Sequence, residues 1–351
     1  MQAIRVGIRA SASNRIGGGH VMRCVTLGSA LARRGASCSL YADTQTRDFV
    51  PPESAIELVT DSHIDDELVR GQFGKFDVFI CDHYGLDARF EQAIRPCVKL
   101  LVVIDDLANR PHDCDLLVDM TLNRSASAYD GLLPRQASIL AGVQYALIRP
   151  EFSTLRLQSL ARRRSGIIER ILISFGLTDP SGLCALTVDL LRGIGSQLPD
   201  FGVADIMIGS QADKLSELYA LIGGDARFNV HVGAENPAGI MAQADIAIGA
   251  GGTTSWERCC LGLPTILVSI ADNQNAIAAA LKTAGAVILL PSLESFRADL
   301  PTVLTTLARD HDAVVNLGVA AAAICDGGGA ERVAGHVFDL YENGASASKG
   351  N

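Results

Sequence analysis

Twice in this chain an apolar run breaks at a cluster of glycines and passes directly into helical spacing. A chain built this way in both halves is restricted to alternating strands and helices. The fuller instance is G-A-G-G-T-T-S-W-E-R-C-C-L-G-L-P, Gly249 to Pro264. Ala244-Asp245-Ile246-Ala247-Ile248 predicts a buried strand before it, and Ser255 to Leu261 begins a helix. Gly251 and Gly252 let a ligand approach backbone N–H groups that have no partner within the helix, so a diphosphate can sit there without a cationic side chain. Thr253 and Thr254 add hydroxyls, and Glu257, one turn into the helix, offers a carboxylate to the vicinal hydroxyls of a ribose. The same residues also suit an ordinary strand-to-helix turn with a Thr or Ser cap.

The second instance lies near the N-terminus. The strand Ile4-Arg5-Val6-Gly7-Ile8 leads through Asn14-Arg15-Ile16-Gly17-Gly18-Gly19 to His20, and Val21, Cys24, Val25, Leu27 and Leu31 then follow helical spacing. His20 is thus presented at a helix N-terminus behind Gly18 and Gly19, where the positive helix end disfavours the imidazolium and leaves a ring able to accept a proton. The competing reading is a glycine turn whose histidine merely caps or packs.

At 351 residues, 48% of them hydrophobic, the chain supplies cores for two domains. Strand-like runs cover Ser37–Ala42, Asp77–Cys81, Lys99–Ile104, Asp115–Val118 and Ile139–Ala141 in the first half. The second half continues with Ile171–Phe175, Ala204–Ile208, Asn229–Val232, Asp245–Ile248, Thr265–Ser269 and Ala286–Leu289. Two parallel sheets flanked by helices are expected, in domains 1–150 and 165–325, followed by a helix over 326–342 and a disordered polar tail over 343–351. Arg149 to Glu169 reads as a basic connection whose arginines are solvated. Such sheets bind ligands at the carboxyl ends of their strands, so an inter-domain cleft is the expected site.

No apolar run of about 18 residues and no leader pattern stands out, which points to the cytoplasm with no membrane partner. Nine cysteines without a C-x-x-C pair read as reduced core thiols, and a net charge of −9 argues against nucleic acid. No D-x-D or His/carboxylate spacing suggests a metal; Asp105-Asp106 comes nearest and reads as a turn cap. No cofactor is expected.

Four segments in order, I-R-A-S-A-S-N-R-I-G-G-G-H-V-M-R-C, D-H-Y-G, Y-A-L-I-R-P-E-F and G-A-G-G-T-T-S-W-E, resemble the UDP-2,4-diacetamido-2,4,6-trideoxy-β-L-altropyranose hydrolases. The resemblance runs from about Ile4 to Gly285. It implies the GT-B fold, two Rossmann-like parallel-sheet α/β domains facing across a cleft. It also implies a bacterial enzyme of pseudaminic acid biosynthesis, and so of flagellin glycosylation, that takes a UDP-sugar and adds water at the anomeric carbon.

In that family the histidine of the glycine turn is the general base, which points to His20; Tyr84 would touch the sugar and Asp82 orient water or a hydroxyl, both in Asp82-His83-Tyr84-Gly85. The resemblance also implies that Glu257 holds the ribose, that Asn273-Gln274 faces the sugar, and that Glu235-Asn236-Pro237 lies near uracil. Arg9, Gly176 and Thr178 complete the expected substrate contacts. Two departures stand out: Gly176-Leu177-Thr178-Asp179 replaces the usual G-G-[ST]-D, and Ser11 replaces the usual aspartate of R-x-D-x-S. Three readings therefore compete: an inverting nucleotide-sugar hydrolase, a glycosyltransferase using the same UDP-sugar donor, and a nucleotide-sugar binding protein without turnover.

Overall fold

The computed structural model describes residues 3–13, 16–51, 54–210 and 212–347, with the side chains of Asn273 and 345–347 outside that description. The chain divides into two compact units, residues 1–149 with 328–351, and residues 150–327. In the first, β1 (Arg5–Ala10), α1 (Gly19–Arg33), β2 (Ser37–Ala42), β3 (Glu57–Thr60), α2 (Ile64–Val69) and β4 (Phe76–Asp82) come in order. They are followed by α3 (Ala88–Ile94), β5 (Val98–Ile104), β6 (Leu116–Asp119) and β7 (Ser138–Ala141). The second contains α4 (Pro150–Arg162), β8 (Arg170–Ser174), α5 (Leu183–Ile194), β9 (Val203–Ile208), α6 (Leu215–Ile222), β10 (Phe228–Val232) and α7 (Pro237–Gln243). It continues with β11 (Ile246–Ala250), α8 (Thr254–Cys260), β12 (Thr265–Val268), α9 (Asn275–Thr283), β13 (Val287–Leu290), α10 (Leu293–Leu307) and α11 (His311–Ile324). The last helix, α12 (Gly329–Ala347), belongs to the first unit.

Every named strand pair is parallel. The first sheet has the order β3-β2-β1-β4-β5-β6-β7 and the second β10-β9-β8-β11-β12-β13. Central strands covered on both faces read as continuous apolar runs, as Ile171-Leu172-Ile173 and Leu100–Ile104 do. Burial of side chains such as Ile8, Leu27 and Phe79 contributes about 1.5–3 kcal/mol each. In each sheet the strand order reverses once, between β1 and β4 and between β8 and β11. The loops at those reversals carry the two glycine turns, because a crevice opens where successive crossovers leave in opposite directions.

Three elements differ from the sequence reading. β3 is an additional edge strand: Glu57-Leu58-Val59-Thr60 is short, pairs with β2 alone and is not fully buried, so it has no long apolar run to announce it. The basic connection is a helix, α4, and its arginines are not all solvated. Arg163 is 6% exposed and donates to the carbonyls of Ala244, Leu261 and Met241, because the ends of α7 and α8 leave backbone acceptors that only a long cation reaches. Arg162 pairs with Asp245 at 3.0 Å. Finally, α12 runs to Ala347, so part of the tail expected to be disordered is helical. Residues 311–344 are apolar and long enough to cross a membrane by composition alone. They form two helices interrupted after Ile324, with Val314, Ala321, Val333 and Val337 buried as core.

Within the first unit, α12 is fastened by Arg33 to Glu331 at 2.8 Å and by the Tyr341 hydroxyl donating to Asp77 at 2.9 Å. Its start lies against backbone: a Cβ on Gly329 would meet the Ala146 oxygen at 2.3 Å. Gly329→Ala should therefore force a backbone shift and lower unfolding free energy by about 1–3 kcal/mol in urea titrations. An unchanged midpoint would show that this contact yields freely.

Candidate active site

The first glycine turn opens α1 with Gly18 at the N-cap, no side-chain cap and no acidic residue in the first turn. Asn14 and Arg15 lie outside the described residues. His20, second in the helix, and Arg23, one turn later, share a face directed at the end of β4. The strand there delivers Asp82, fully buried. His20 Nδ1 lies 2.6 Å from Asp82 Oδ1, while Arg23 Nε and Nη2 donate to the two carboxylate oxygens at 2.5 and 2.6 Å.

Burial works to raise the Asp82 carboxyl, but Arg23 and His20 override it and hold it well below the usual carboxylate range. An ionised carboxylate has no proton to give, so His20 Nδ1 is the donor in this contact. Arg23 Nη2 also approaches His20 Nδ1 at 3.1 Å, a contact between two N–H groups in this tautomer. The sequence pointed to the helix end as the field acting on this ring; the structure adds a carboxylate and a guanidinium in direct contact.

Tyr84 stands edge-on to the His20 ring, centroids 4.4 Å apart at 88°. Its hydroxyl donates to Asp106 Oδ1 at 3.0 Å, and Arg23 Nη1 donates to Asp106 Oδ2 at 2.8 Å. Between them the structure thus gathers the three expected residues His20, Asp82 and Tyr84, together with Arg23, which the sequence reading passed over, and Asp106, which it read as part of a turn cap. Arg23 was detectable as the residue at i+3 from His20. Asp106 was hidden by its neighbour, because Asp105 does cap the turn, accepting from the Leu107 and Ala108 amides.

The expected contact residue Arg9 and the motif residue His83 are otherwise engaged. Arg9, 2% exposed at the end of β1, gives its guanidinium to Asp65 at 2.6 and 3.2 Å and to the Ala10 carbonyl. His83 Nδ1 accepts from the Gly85 amide at 3.0 Å, and burial with Arg9 nearby pushes the ring down to about 4, which keeps it neutral.

In the second unit Gly251 joins β11 to α8, whose N-cap Thr253 makes no side-chain cap and whose first turn holds Glu257. Gly252, Thr253 and Thr254 are half-buried. Gln274 Oε1 accepts from the amides of Gly251 at 3.3 Å and Ile270 at 3.1 Å, binding this turn to the loop after β12. Beneath the turn, buried Arg258 donates to the Ala250 carbonyl and to Ser255 Oγ. Only glycine fits at 249, since a Cβ would meet the Ser174 oxygen at 2.4 Å and Arg258 Nη1 at 2.5 Å.

The loop after β8, with Gly176 exposed and Thr178 half-buried, is organised differently. Asp179 caps α5 by accepting from the Leu183 and Cys184 amides, both at 2.9 Å, so a carboxylate already occupies that helix start. Asn236 caps α7 in the same way, through the Gly239 amide at 2.9 Å. The Asn273 side chain lies outside the description. Among the described residues no group of three or more His, Cys, Asp or Glu side chains is placed to hold a metal ion.

No family model matches the chain. It is 26% identical over 284 residues to the UDP-2,4-diacetamido-2,4,6-trideoxy-beta-L-altropyranose hydrolase of Campylobacter jejuni, covering 78% of this chain and 95% of that protein. It is 23% identical over 354 residues to the spore coat polysaccharide biosynthesis protein SpsG of Bacillus subtilis, covering 97% and 99%. Among solved structures, Acinetobacter baumannii MurG superposes with a TM-score of 0.66 at 15% identity, over 96% of this chain and 99% of that one. A co-structure of S. aureus MnaA with UDP gives 0.66 at 12% identity, over 97% of each. The expected fold class, two Rossmann-like parallel-sheet domains of the GT-B type, is borne out, as is the resemblance to the hydrolase family.

Behind the site, His112 lies between Glu91 at 2.7 Å and Asp105 at 3.7 Å. Burial works to lower it, but the flanking carboxylates of Asp105 and Glu91 outweigh this and raise the ring to about 9. A raised folded-state value contributes stability that is fully present below the ordinary value of 6.5 and lost as pH climbs through about 9. The urea midpoint should therefore fall over that window, and His112→Gln should remove that part of the slope. A slope unchanged in the variant would assign it to other groups.

Proposed function

We propose that this protein is an inverting nucleotide-sugar hydrolase that cleaves a UDP-linked 2,4-diacetamido-2,4,6-trideoxyhexose at its anomeric carbon, releasing UDP and the free sugar for pseudaminic acid synthesis. The observation that carries this reading is the buried His20–Asp82 pair at the reversal point of the first sheet, in which Nδ1 is engaged; on this reading Nε2 serves as the base. The relative from Campylobacter jejuni, matched along most of its length, supports the substrate class.

In this scheme water attacks the anomeric carbon, His20 Nε2 takes its proton, and the bond to the UDP oxygen breaks with its electrons passing to the nucleotide. Asp82 compensates the imidazolium that forms, and Tyr84 borders the sugar. In the second unit, the amides of Gly252, Thr253 and Thr254, in the turn that Gly251 opens, receive the diphosphate, and Glu257 takes the ribose hydroxyls. This charge stabilisation requires no divalent metal.

Incubation with the UDP-linked trideoxy sugar should release UDP and free sugar at a rate that chelator leaves unchanged. His20→Ala should lose about 10²–10⁴-fold in kcat. Full turnover by that variant would remove His20 from the chemistry, and UDP release that required an added acceptor would identify a transferase. Glu257→Ala should weaken UDP binding about tenfold by calorimetry, the loss of hydrogen bonds to a charged group.

A further inference from the structure

We infer that Asp106 is a positioning residue for the His20 base: through Arg23 and Tyr84 it closes a ring of five side chains and sets the charge against which His20 takes up its proton. The inference rests on the proposed role of His20 in hydrolysis.

The circuit runs from His20 Nδ1 to Asp82 Oδ1, from both Asp82 oxygens to Arg23, from Arg23 Nη1 to Asp106 Oδ2, and from Asp106 Oδ1 to the Tyr84 hydroxyl. It closes where the Tyr84 ring meets the edge of His20 at 4.4 Å. Three elements of the first unit contribute: α1 supplies His20 and Arg23, β4 and its loop supply Asp82 and Tyr84, and the segment after β5 supplies Asp106. Arg23 is thus forked between two carboxylates. Without Asp106 its Nη1 loses a partner in a site where the side chain is 3% exposed, and the plane of the fork on Asp82 is no longer fixed from behind.

Charge gives the second part. With His20 neutral, Asp82, Asp106 and Arg23 sum to −1, and one proton on His20 brings the cluster to zero. With residue 106 uncharged the same step runs from zero to +1, which low-dielectric surroundings disfavour. The other groups around the ring do not offset this change. Cys24, donating to Asp82 at 3.5 Å, has its thiol raised by burial, and His83 is neutral. Arg9 pairs with Asp65 at 2.6 Å and lies 3.9 Å from Asp43, and these charges are the same whichever residue stands at 106.

Asp106 is also dispensable to the local backbone. Asp105 caps the turn, and Arg124 holds the Asp106 main-chain carbonyl at 2.8 Å whatever the side chain. Its side chain is 17% exposed, far more open than that of Asp82.

The test compares wild type, Asp106→Asn and Asp106→Glu in two measurements. One is the pH profile of kcat/KM with the UDP-linked sugar. The other is the titration of the His20 ring by NMR of protein carrying ¹⁵N-histidine, without substrate. Asp106→Asn should lower kcat about ten- to a hundredfold with KM little changed. It should also move the acidic limb and the His20 titration to lower pH. Asp106→Glu, which restores the charge, should return the titration to the wild-type position. Should the Asn variant fail to fold, Asp106→Ser makes the same change of charge.

A variant with wild-type kcat/KM and profile overturns the inference, as does a loss of rate with both titrations unmoved, the signature of a purely structural role. If wild type releases no UDP, the hydrolytic reading fails, and the NMR titration alone still decides for or against Asp106.

Discussion

The first unit's chemistry depends on one buried carboxylate being kept ionised. Asp82, at the end of a strand packed on both faces, has lost the water that would stabilise its charge, and the Arg23 fork and the His20 ring, with a weaker contact from the Cys24 thiol, replace it. Such a group is held by partners or it is costly, and removing one partner from a buried pair typically destabilises by about 3–5 kcal/mol. The arrangement thus ties folding to function. In the proposed hydrolysis, the contact that helps Arg23 hold Asp82 as an anion also fixes the proton on His20 Nδ1 and leaves the opposite nitrogen as the base.

The two sheets place their glycine turns by the same rule, at the reversal of strand order, but they equip the turns differently. In the first unit the helix start is lined by ionisable side chains that pair with one another. In the second, α8 begins without a side-chain cap and rests on a buried arginine, whereas α5, which follows the neighbouring strand β8, has its leading amides taken by Asp179. This contrast favours the Gly251 turn over the Gly176 loop as the place for an anion. It also gives a physical meaning to the exposed Leu177, 41% accessible. With the helix start already capped, its loop can carry an apolar residue in place of glycine without uncovering a phosphate cradle. At Ser11, buried at the end of β1, the neighbouring Arg9 draws its negative partner from Asp65 of α2 instead of from residue 11.

Most of the fold and part of the site could be read in the order of residues. Central strands such as β1, β4, β5, β8 and β11 announce themselves as apolar runs because they are covered on both faces. β3 does not, being a short edge strand with a polar start. The helix α4 was obscured by its arginines. A guanidinium buried against backbone carbonyls carries the same letter as one in solvent, and only the ends of α7 and α8, distant in sequence, distinguish Arg163 from its neighbours.

Local order alone therefore determined the alternation of strands and helices, the two glycine turns, and the presentation of His20 at a helix start, since each follows from spacing within about twenty residues. Tertiary structure decided which charges meet. Asp82 is 62 residues from His20 and Asp106 is 83 from Arg23, separations bridged only when β1, β4 and β5 lie side by side. Parallel pairing brings the carboxyl ends of those strands to one edge. Electrostatic partnership is a property of that edge, because interactions that fall off within a few ångströms have no counterpart in the linear sequence.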